Sequence, residues 1–285
     1  MKIGILGGSG LYELEGLENI GQTAVNTPFG RTSDDITSGT LDGKEVMFIP
    51  RHGRGHRLLP SEVPFRANVW ALKSLGVTHL ISVSAVGSLQ EEIEPGHLVF
   101  PDQFIDRTFM RPSTFFGGGV VAHVQFGDPV CGHLREELCR SAAELGIRHH
   151  PRGTYICMEG PAFSTRAESF MYRSWGGTII GMTNIQEAKL AREAEMCFAT
   201  IALATDYDCW HESEEEVSVE AVLEVMRSNI ATSKKLLSKV IRSIDEERDC
   251  PCHSAMQYAI LTARDQISPT ARKNLEPIIG KYVND

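Results

Sequence analysis

The stretch FATIALATDYDCW, residues 198–210, reads as an apolar strand that ends in two carboxylates two positions apart. Side chains at i and i+2 of a strand point to one side, so a strand that persists to its end projects Asp206 and Asp208 together. Two carboxylates held close cannot both ionise freely, and one then acquires a raised pKa suited to proton donation near neutral pH. The same residues also read as a solvated turn after a buried strand. The segments around them have to decide.

Working outward, Gln186–Ala194 reads as a charged helix, and Thr178–Met182 as a strand running into Met182-Thr183. Before these, a strand at Gly153–Met158 and a helix at Thr165–Trp175 are joined by Glu159-Gly160-Pro161-Ala162-Phe163-Ser164. Ser164 is placed as the helix cap, and Phe163 offers an aromatic face on which a ligand base can stack. Leu134–Leu145 is a further helix. Pro64–Leu75 has Val69, Trp70, Leu72 and Leu75 at near-helical spacing, stops at Gly76, and is followed by an almost continuous apolar strand, His79–Ser84. Helix followed by buried strand indicates an α/β sheet. Ser84-Ala85-Val86-Gly87-Ser88 closes that strand with small residues, as a site needing close backbone approach requires.

At the start, strand Lys2–Leu6 leads into Gly7-Gly8-Ser9-Gly10, a turn able to bring backbone N–H groups and the Ser9 hydroxyl to an anion. It lacks the order of the dinucleotide fingerprint, which disfavours a dinucleotide-dependent oxidoreductase. Residues 27–51 alternate polar and apolar around Asp42-Gly43, a hairpin signal, and the second strand Glu45–Pro50 delivers Arg51-His52-Gly53-Arg54-Gly55-His56. Two Arg and two His among glycines read as a flexible cationic loop for a phosphate or carboxylate. After a short strand at His97–Phe100, a long irregular stretch contains His123, which among Val120, Val121, Ala122 and Val124 reads first as a partly buried packing histidine. Ser218–Ile244 is a long amphipathic helix. The polar tail from Asp245 carries weaker helices at Ser254–Ala263 and Pro269–Gly280, with no domain boundary before it.

The chain of 285 residues, 42% hydrophobic and 23% charged, has the balance of a soluble globular protein. A net charge of -9 argues against a nucleic-acid surface, so any anion site must be local. No apolar run reaches the roughly 20 residues of a spanning helix, and MKIGILG lacks a signal-peptide cleavage region; a cytoplasmic, membrane-free protein is expected. Seven cysteines are an odd number, scattered, unlike a disulfide framework. Cys250-Pro251-Cys252-His253 suggests a metal site or a redox pair; structural zinc usually takes four ligands at longer spacing, so an inert or oxidisable pair, and no metal, is expected.

Read together, GGSGLYE, TPFGRTSD, RHGRGH, SAVGSL, DQFIDRT, MEGPAFSTRAESFMYR, GMTN and ATDYDCW closely resemble the methylthioadenosine phosphorylases of the trimeric purine nucleoside phosphorylase superfamily. The likeness runs from residue 3 to about residue 244, and the tail resembles bacterial members, including their Cys-x-Cys-His element. The resemblance implies one α/β domain (1–244) with a central mixed, partly barrel-like sheet flanked by helices, and a helical extension (245–285) packed on it. It implies attack of inorganic phosphate on C1′ of the methylthioribose while the bond to adenine breaks. No cofactor is implied, phosphate being a co-substrate.

By resemblance, phosphate falls to Ser9, Arg51, His52, Ser84, Ala85 and Thr183. Met182 contacts the ribose, Phe163 stacks near the base, and Asp206, Tyr207 and Asp208 line the purine, with Asp206 the general acid at N7. Related 6-oxopurine phosphorylases have Asn at the position of Asp206, Glu at that of Ser164 and His at that of Val219. This chain has the adenine-type residues, and Val219 with Val222 and Leu223 suits an apolar 5′ methylthio group. The resemblance further implies a homotrimer, with a hexamer of two trimers as an option, in which His123 reaches a neighbouring subunit's 5′ pocket. The competing readings are a 6-oxopurine or methylthioinosine phosphorylase and a nucleotide-binding module without catalysis.

Overall fold

The computed structural model describes residues 1–8, 10–11, 14–211, 219–245 and 249–283. In chain order the strands are β1 (Lys2–Gly7), β2 (Glu18–Thr23), β3 (Asn26–Thr27), β4 (Gly30–Arg31), β5 (Ile36–Leu41), β6 (Lys44–Pro50), β7 (His79–Ser88), β8 (Leu98–Val99), β9 (Gln103–Arg107), β10 (His149–His150), β11 (Thr154–Met158), β12 (Ile179–Gly181) and β13 (Cys197–Asp206). The α-helices are α1 (Phe65–Ser74), α2 (Gly132–Glu144), α3 (Arg166–Ser174), α4 (Ile185–Glu193), α5 (Val219–Ser243), α6 (Pro269–Asn274) and α7 (Glu276–Val283).

Eleven strands form one mixed sheet along the path β10-β8-β13-β7-β1-β6-β5-β2, with β12, β11 and β9 branching from β7. Among the described residues the path has β10 and β2 as its ends. At its centre β6, β1, β7 and β13 are all parallel. Parallel strands are covered on both faces, which is why β13 is apolar almost throughout and buried from Cys197 to Thr205. Alternate residues feed the two faces: Ile3, Ile5, Val46 and Phe48 pack with Leu134 and Leu138 of α2 and Leu237 and Ile241 of α5. Leu6, Met47 and Ile49 pack with Val69 and Leu72 of α1, Leu190 of α4 and Ile278 of α7. Among the described residues no helix is long and apolar enough to cross a membrane.

The Asp42-Gly43 hairpin forms between β5 and β6, with φ of 51° and 78° at the two turn residues, the left-handed pair a tight two-residue hairpin demands. Some boundaries differ from the sequence reading for identifiable reasons. Strand β7 does not stop at Ser84; its end is held between β13 at Gly87 and antiparallel β12 at Gly87 and Ser88. The cap of α3 is Thr165 instead of Ser164, in a reciprocal capping box with Glu168. Apart from Ser254, which ends a 3-10 turn, residues 254–263 are not helical; the chain there pairs with the 120–123 loop through an Ala122–Ile260 bridge and a 2.9 Å bond from the Leu261 N–H to Val121 O.

Because the four central strands are parallel, their carboxyl ends gather at one edge. That edge holds Gly7-Gly8, Arg51-His52, the end of β7 and Asp206. Crevices at such edges are where α/β sheets bind ligands.

Candidate active site

Arg51 leaves the end of β6 only 3% exposed. Its Nε and Nη2 donate to the Glu187 carboxylate on α4, Nη2 also reaches Ser82 Oγ at 2.6 Å, and Nη1 donates to Val83 O at 2.9 Å. Ser82 in turn donates to Glu187 Oε2 at 2.6 Å, and Asn184 Nδ2 donates to Ser82 Oγ at 3.1 Å. The Arg51 guanidinium is therefore a neutralised, fixed donor and not part of a flexible cationic loop. The loop after it is equally unlike the flexible cationic loop expected: Arg54 and Arg57 lie within 4 Å of Asp34, at 3.9 and 3.8 Å. His52 stacks on His56, and its Nδ1 lies 2.8 Å from Leu58 O. Burial lowers the His52 pKa to about 4, so near neutral pH the ring is uncharged, with Nδ1–H donating and Nε2 left as an acceptor.

Ser84 and Thr183, 6% and 5% exposed, bring their hydroxyls to 3.2 Å from one another, and Ser84 Oγ is 3.2 Å from the buried Tyr155 hydroxyl. Burial raises the Tyr155 pKa, which keeps it a neutral donor. Tyr155 fits only because residue 181 is glycine, where a Cβ would lie 2.0 Å from its oxygen. Next to Thr183, Asn184 is held at φ 100°, a conformation that non-glycine residues seldom take, by bonds to Ser82 and from Thr200 Oγ1 at 2.8 Å. Such over-determined strain is characteristic of functional sites. Ala85 is exposed beside this cluster.

The carboxylate pair is brought together, but not by strand alternation. β13 ends at Asp206, and Asp208 takes φ 52° at the start of a 3-10 turn, Asp208–Trp210. Its N–H donates to Asp206 Oδ1 at 2.8 Å, while Thr205 Oγ1 donates to Asp206 Oδ2 at 2.7 Å. These two donors fix the orientation of the Asp206 carboxyl. The raised pKa belongs instead to Asp208, through burial first, partly offset by the Ser169 hydroxyl, and then through the Asp206 charge. The pair lies against Gly87, where a Cβ would stand 3.0 Å from Asp206 Oδ1 and 3.3 Å from Asp208 Cβ.

Ser164 joins this corner through its backbone, its carbonyl accepting from Cys209 Sγ at 3.3 Å. Tyr207, placed among the purine-lining residues, turns its side chain away: the ring stacks on His211 and the hydroxyl donates to Glu91 O at 3.2 Å. Phe163 is 84% exposed, and His123 is exposed on the loop pinned to the tail by its N–H bond to Ala259 O at 2.9 Å. Ser9 lies outside the described residues. Val219, Val222 and Leu223 fall in the first turns of α5, with their side chains outside the described set.

Sequence reasoning missed the residues that hold these groups. Glu187, Ser82 and Asn184 fix Arg51 and Thr183. Arg111, buried to 8%, donates to Glu159 Oε1 at 2.8 Å and to the backbone oxygens of Met182 and Glu159. Burial works against the Glu159 charge, yet the Phe109 N–H and Arg111 hold its pKa below the usual range. The Met182 side chain then packs over Gly160, where a Cβ would come within 2.5 Å of its sulfur. The available signal was the presence of single charges inside apolar segments, which do not stay buried unpaired.

Comparison with known proteins accounts for this arrangement. Residues 2–242 match the family described as the phosphorylase superfamily. The S-methyl-5'-thioadenosine phosphorylase of Geobacter sulfurreducens is 60% identical over 99% of both chains. A crystal structure of methylthioadenosine phosphorylase sourced from an Antarctic soil metagenomic library is 46% identical and superposes with a TM-score of 0.94, covering 97% of this chain and 98% of that one. A mutant adenosine/methylthioadenosine phosphorylase from Schistosoma mansoni, in complex with methylthioadenosine, is 37% identical with a TM-score of 0.81, covering 87% and 93%. With this sheet, this paired-acid corner and relatives matching along nearly its whole length, the chain belongs to the S-methyl-5'-thioadenosine phosphorylase family of the phosphorylase superfamily.

Proposed function

We propose that the chain catalyses phosphorolysis of S-methyl-5'-thioadenosine to adenine and 5-methylthioribose 1-phosphate, a pentosyl transfer in purine and methionine salvage. One observation carries the reading. Strand β7 presents a hydroxyl cluster at Ser84 and, three residues on, abuts the carboxylate pair at Gly87. Three residues of strand span about 10 Å, which suits a ribosyl unit lying between phosphate and purine.

A phosphate oxygen forms the bond to C1′ as the C1′–N9 bond breaks, and that electron pair passes into the departing purine. Arg51, His52, Ser84, Thr183, the Ala85 backbone and Ser9 hold the phosphate. Buried hydroxyls and one oriented guanidinium stabilise its charge without large reorganisation. Met182, fixed by Arg111, lies against the ribose, and Phe163 closes over the base. Asp206 and Asp208 share one ionisable proton: the protonated member donates toward N7 while the other accepts from N6. Burial and the Asp206 charge raise the Asp208 pKa in the ligand-free chain. With the purine bound, Asp206 carries the proton and acts as the acid.

Ser164, Val219, Val222 and Leu223 set the preference for a 6-amino purine and a 5′ methylthio group. Phosphate is a co-substrate and no cofactor takes part. The active form is a cytoplasmic homotrimer, alone or paired into a hexamer, that buries Phe109 and Met110, which are 80% and 72% exposed in the single chain. His123 completes a neighbour's site.

The test is phosphate-dependent adenine release from methylthioadenosine, with methylthioinosine, adenosine and inosine as competitors. Asp206→Asn should lower the rate by about 10²-fold or more and change the pH profile. Equal rates in both respects, or release that ignores phosphate, would overturn the proposal. Light scattering in solution tests the trimer.

A further inference from the structure

Four cysteines from three separate parts of the chain meet on the far side of the sheet's apolar core. Cys131 precedes α2, Cys197 opens β13, and Cys250 and Cys252 flank Pro251 in the tail. They are 3%, 1%, 5% and 7% exposed. Their sulfur atoms all lie within 4.8 Å of one another, with Cys131 and Cys250 at 3.6 Å. Four thiolates around one zinc ion at about 2.3 Å stand about 3.8 Å apart along each tetrahedral edge. The observed spacing is close to that and well beyond the roughly 2.05 Å of a disulfide.

From this geometry we infer that Cys131, Cys197, Cys250 and Cys252 form a closed tetrathiolate site for a soft divalent metal, zinc first among them. The Cys-x-Cys spacing is too short to supply a site alone, but the fold delivers the second pair from Cys131 and Cys197. Thiolates without carboxylate or carbonyl partners select soft ions over magnesium or calcium. His253 stands at the rim, its Nε2 3.5 Å from Cys197 Sγ, with the His79 ring edge-on to it. A cleft of about 480 Å³ touching His79, Glu136 and three of the four cysteines gives an ion its approach. Binding releases the thiol protons and leaves no open position on the metal, so the site fastens and does not catalyse.

What it fastens is the tail. Directly after Cys252 the chain donates the Met256 N–H to Glu195 and then pairs with the 120–123 loop. Loss of the ion should therefore loosen residues 249–262 and that loop, while the carboxylate corner at Gly87 stays in place.

The experiment is elemental analysis of enzyme purified under reducing conditions in zinc-containing buffer. About one zinc per chain, retained through gel filtration, is expected. Chelator-stripped wild-type protein titrated with cobalt should give tetrahedral thiolate–cobalt absorption, and hydrogen exchange in 249–262 should slow on metal addition. Cys131→Ser and Cys252→Ser should lower metal content at least tenfold, whereas Cys139→Ser, outside the cluster, should not. If the serine variants do not fold, the cobalt titration of the wild-type chain decides alone. Absence of metal with all thiols free, or an intact mass lacking two hydrogens per cysteine pair, would overturn the inference. Metal content is read independently of phosphorolysis, so this result and the catalytic one can fail separately.

Discussion

Replacing Glu187 with Gln should damage both the fold and the phosphate site. The side chains of Arg51 and Glu187 are 4% and 1% exposed. The amide still accepts from Arg51 Nε, but its NH2 group then confronts Arg51 Nη2 and the Ser82 hydroxyl, both of which donate to the native carboxylate. A buried guanidinium left without its counter-charge costs about 3–5 kcal/mol. That is a large share of the roughly 5–15 kcal/mol by which folded domains are stable. Urea unfolding of Glu187→Gln beside the wild type measures the loss. The same variant should raise KM for phosphate, because Arg51 loses the carboxylate that orients it, while KM for the nucleoside changes less. Stability within about 1 kcal/mol of wild type, with an unchanged phosphate KM, would refute the view that Arg51 works as an oriented member of a neutral pair.

Other perturbations test separate parts. Gly87→Ala places a Cβ 3.0 Å from Asp206 Oδ1 and should lower kcat/KM roughly tenfold by displacing the acid, with little change in melting temperature. Burial pushes the Glu193 pKa up to about 7, so the folded chain binds more protons than the unfolded one between its ordinary range and that value. Stability should therefore fall by up to about 3 kcal/mol as pH rises through that window, and Glu193→Gln should flatten the slope in pH-dependent denaturation curves. Val219→His should move the kcat/KM preference from methylthioadenosine toward adenosine in a paired assay; an unchanged ratio would count against the apolar 5′ pocket.

The central strands were legible because their composition carries the signal: β13 is apolar almost throughout, β7 alternates aliphatic with small residues, and Asp42-Gly43 has the turn chemistry its hairpin needs. The carboxylate corner was legible as a pair but not as a geometry, since the left-handed turn at Asp208 replaces the alternation assumed for a continuing strand. The contacts that hold the site were not legible. Arg51 and Glu187 are 136 positions apart, and Arg111 and Met182 are 71 apart, so no local spacing links them. The same holds for the thiols, with 119 positions between Cys131 and Cys250. The tail was misread as helix at 254–263 because pairing with a distant loop overrode local preference.

Strand β7 has a consequence for how the enzyme fails on heating. It is bonded to β13 over nearly its whole length, to β1 over residues 79–82 and to β12 at Gly87 and Ser88, so the spacing between its hydroxyl end and its carboxylate end belongs to a well-protected part of the chain. Such central strands open only with global unfolding, whereas exposed loops such as the one bearing Phe163 open at far lower free energy. Warming should therefore first weaken retention of the base, seen as a rising nucleoside KM. The rate at saturating substrate should hold until the whole sheet melts.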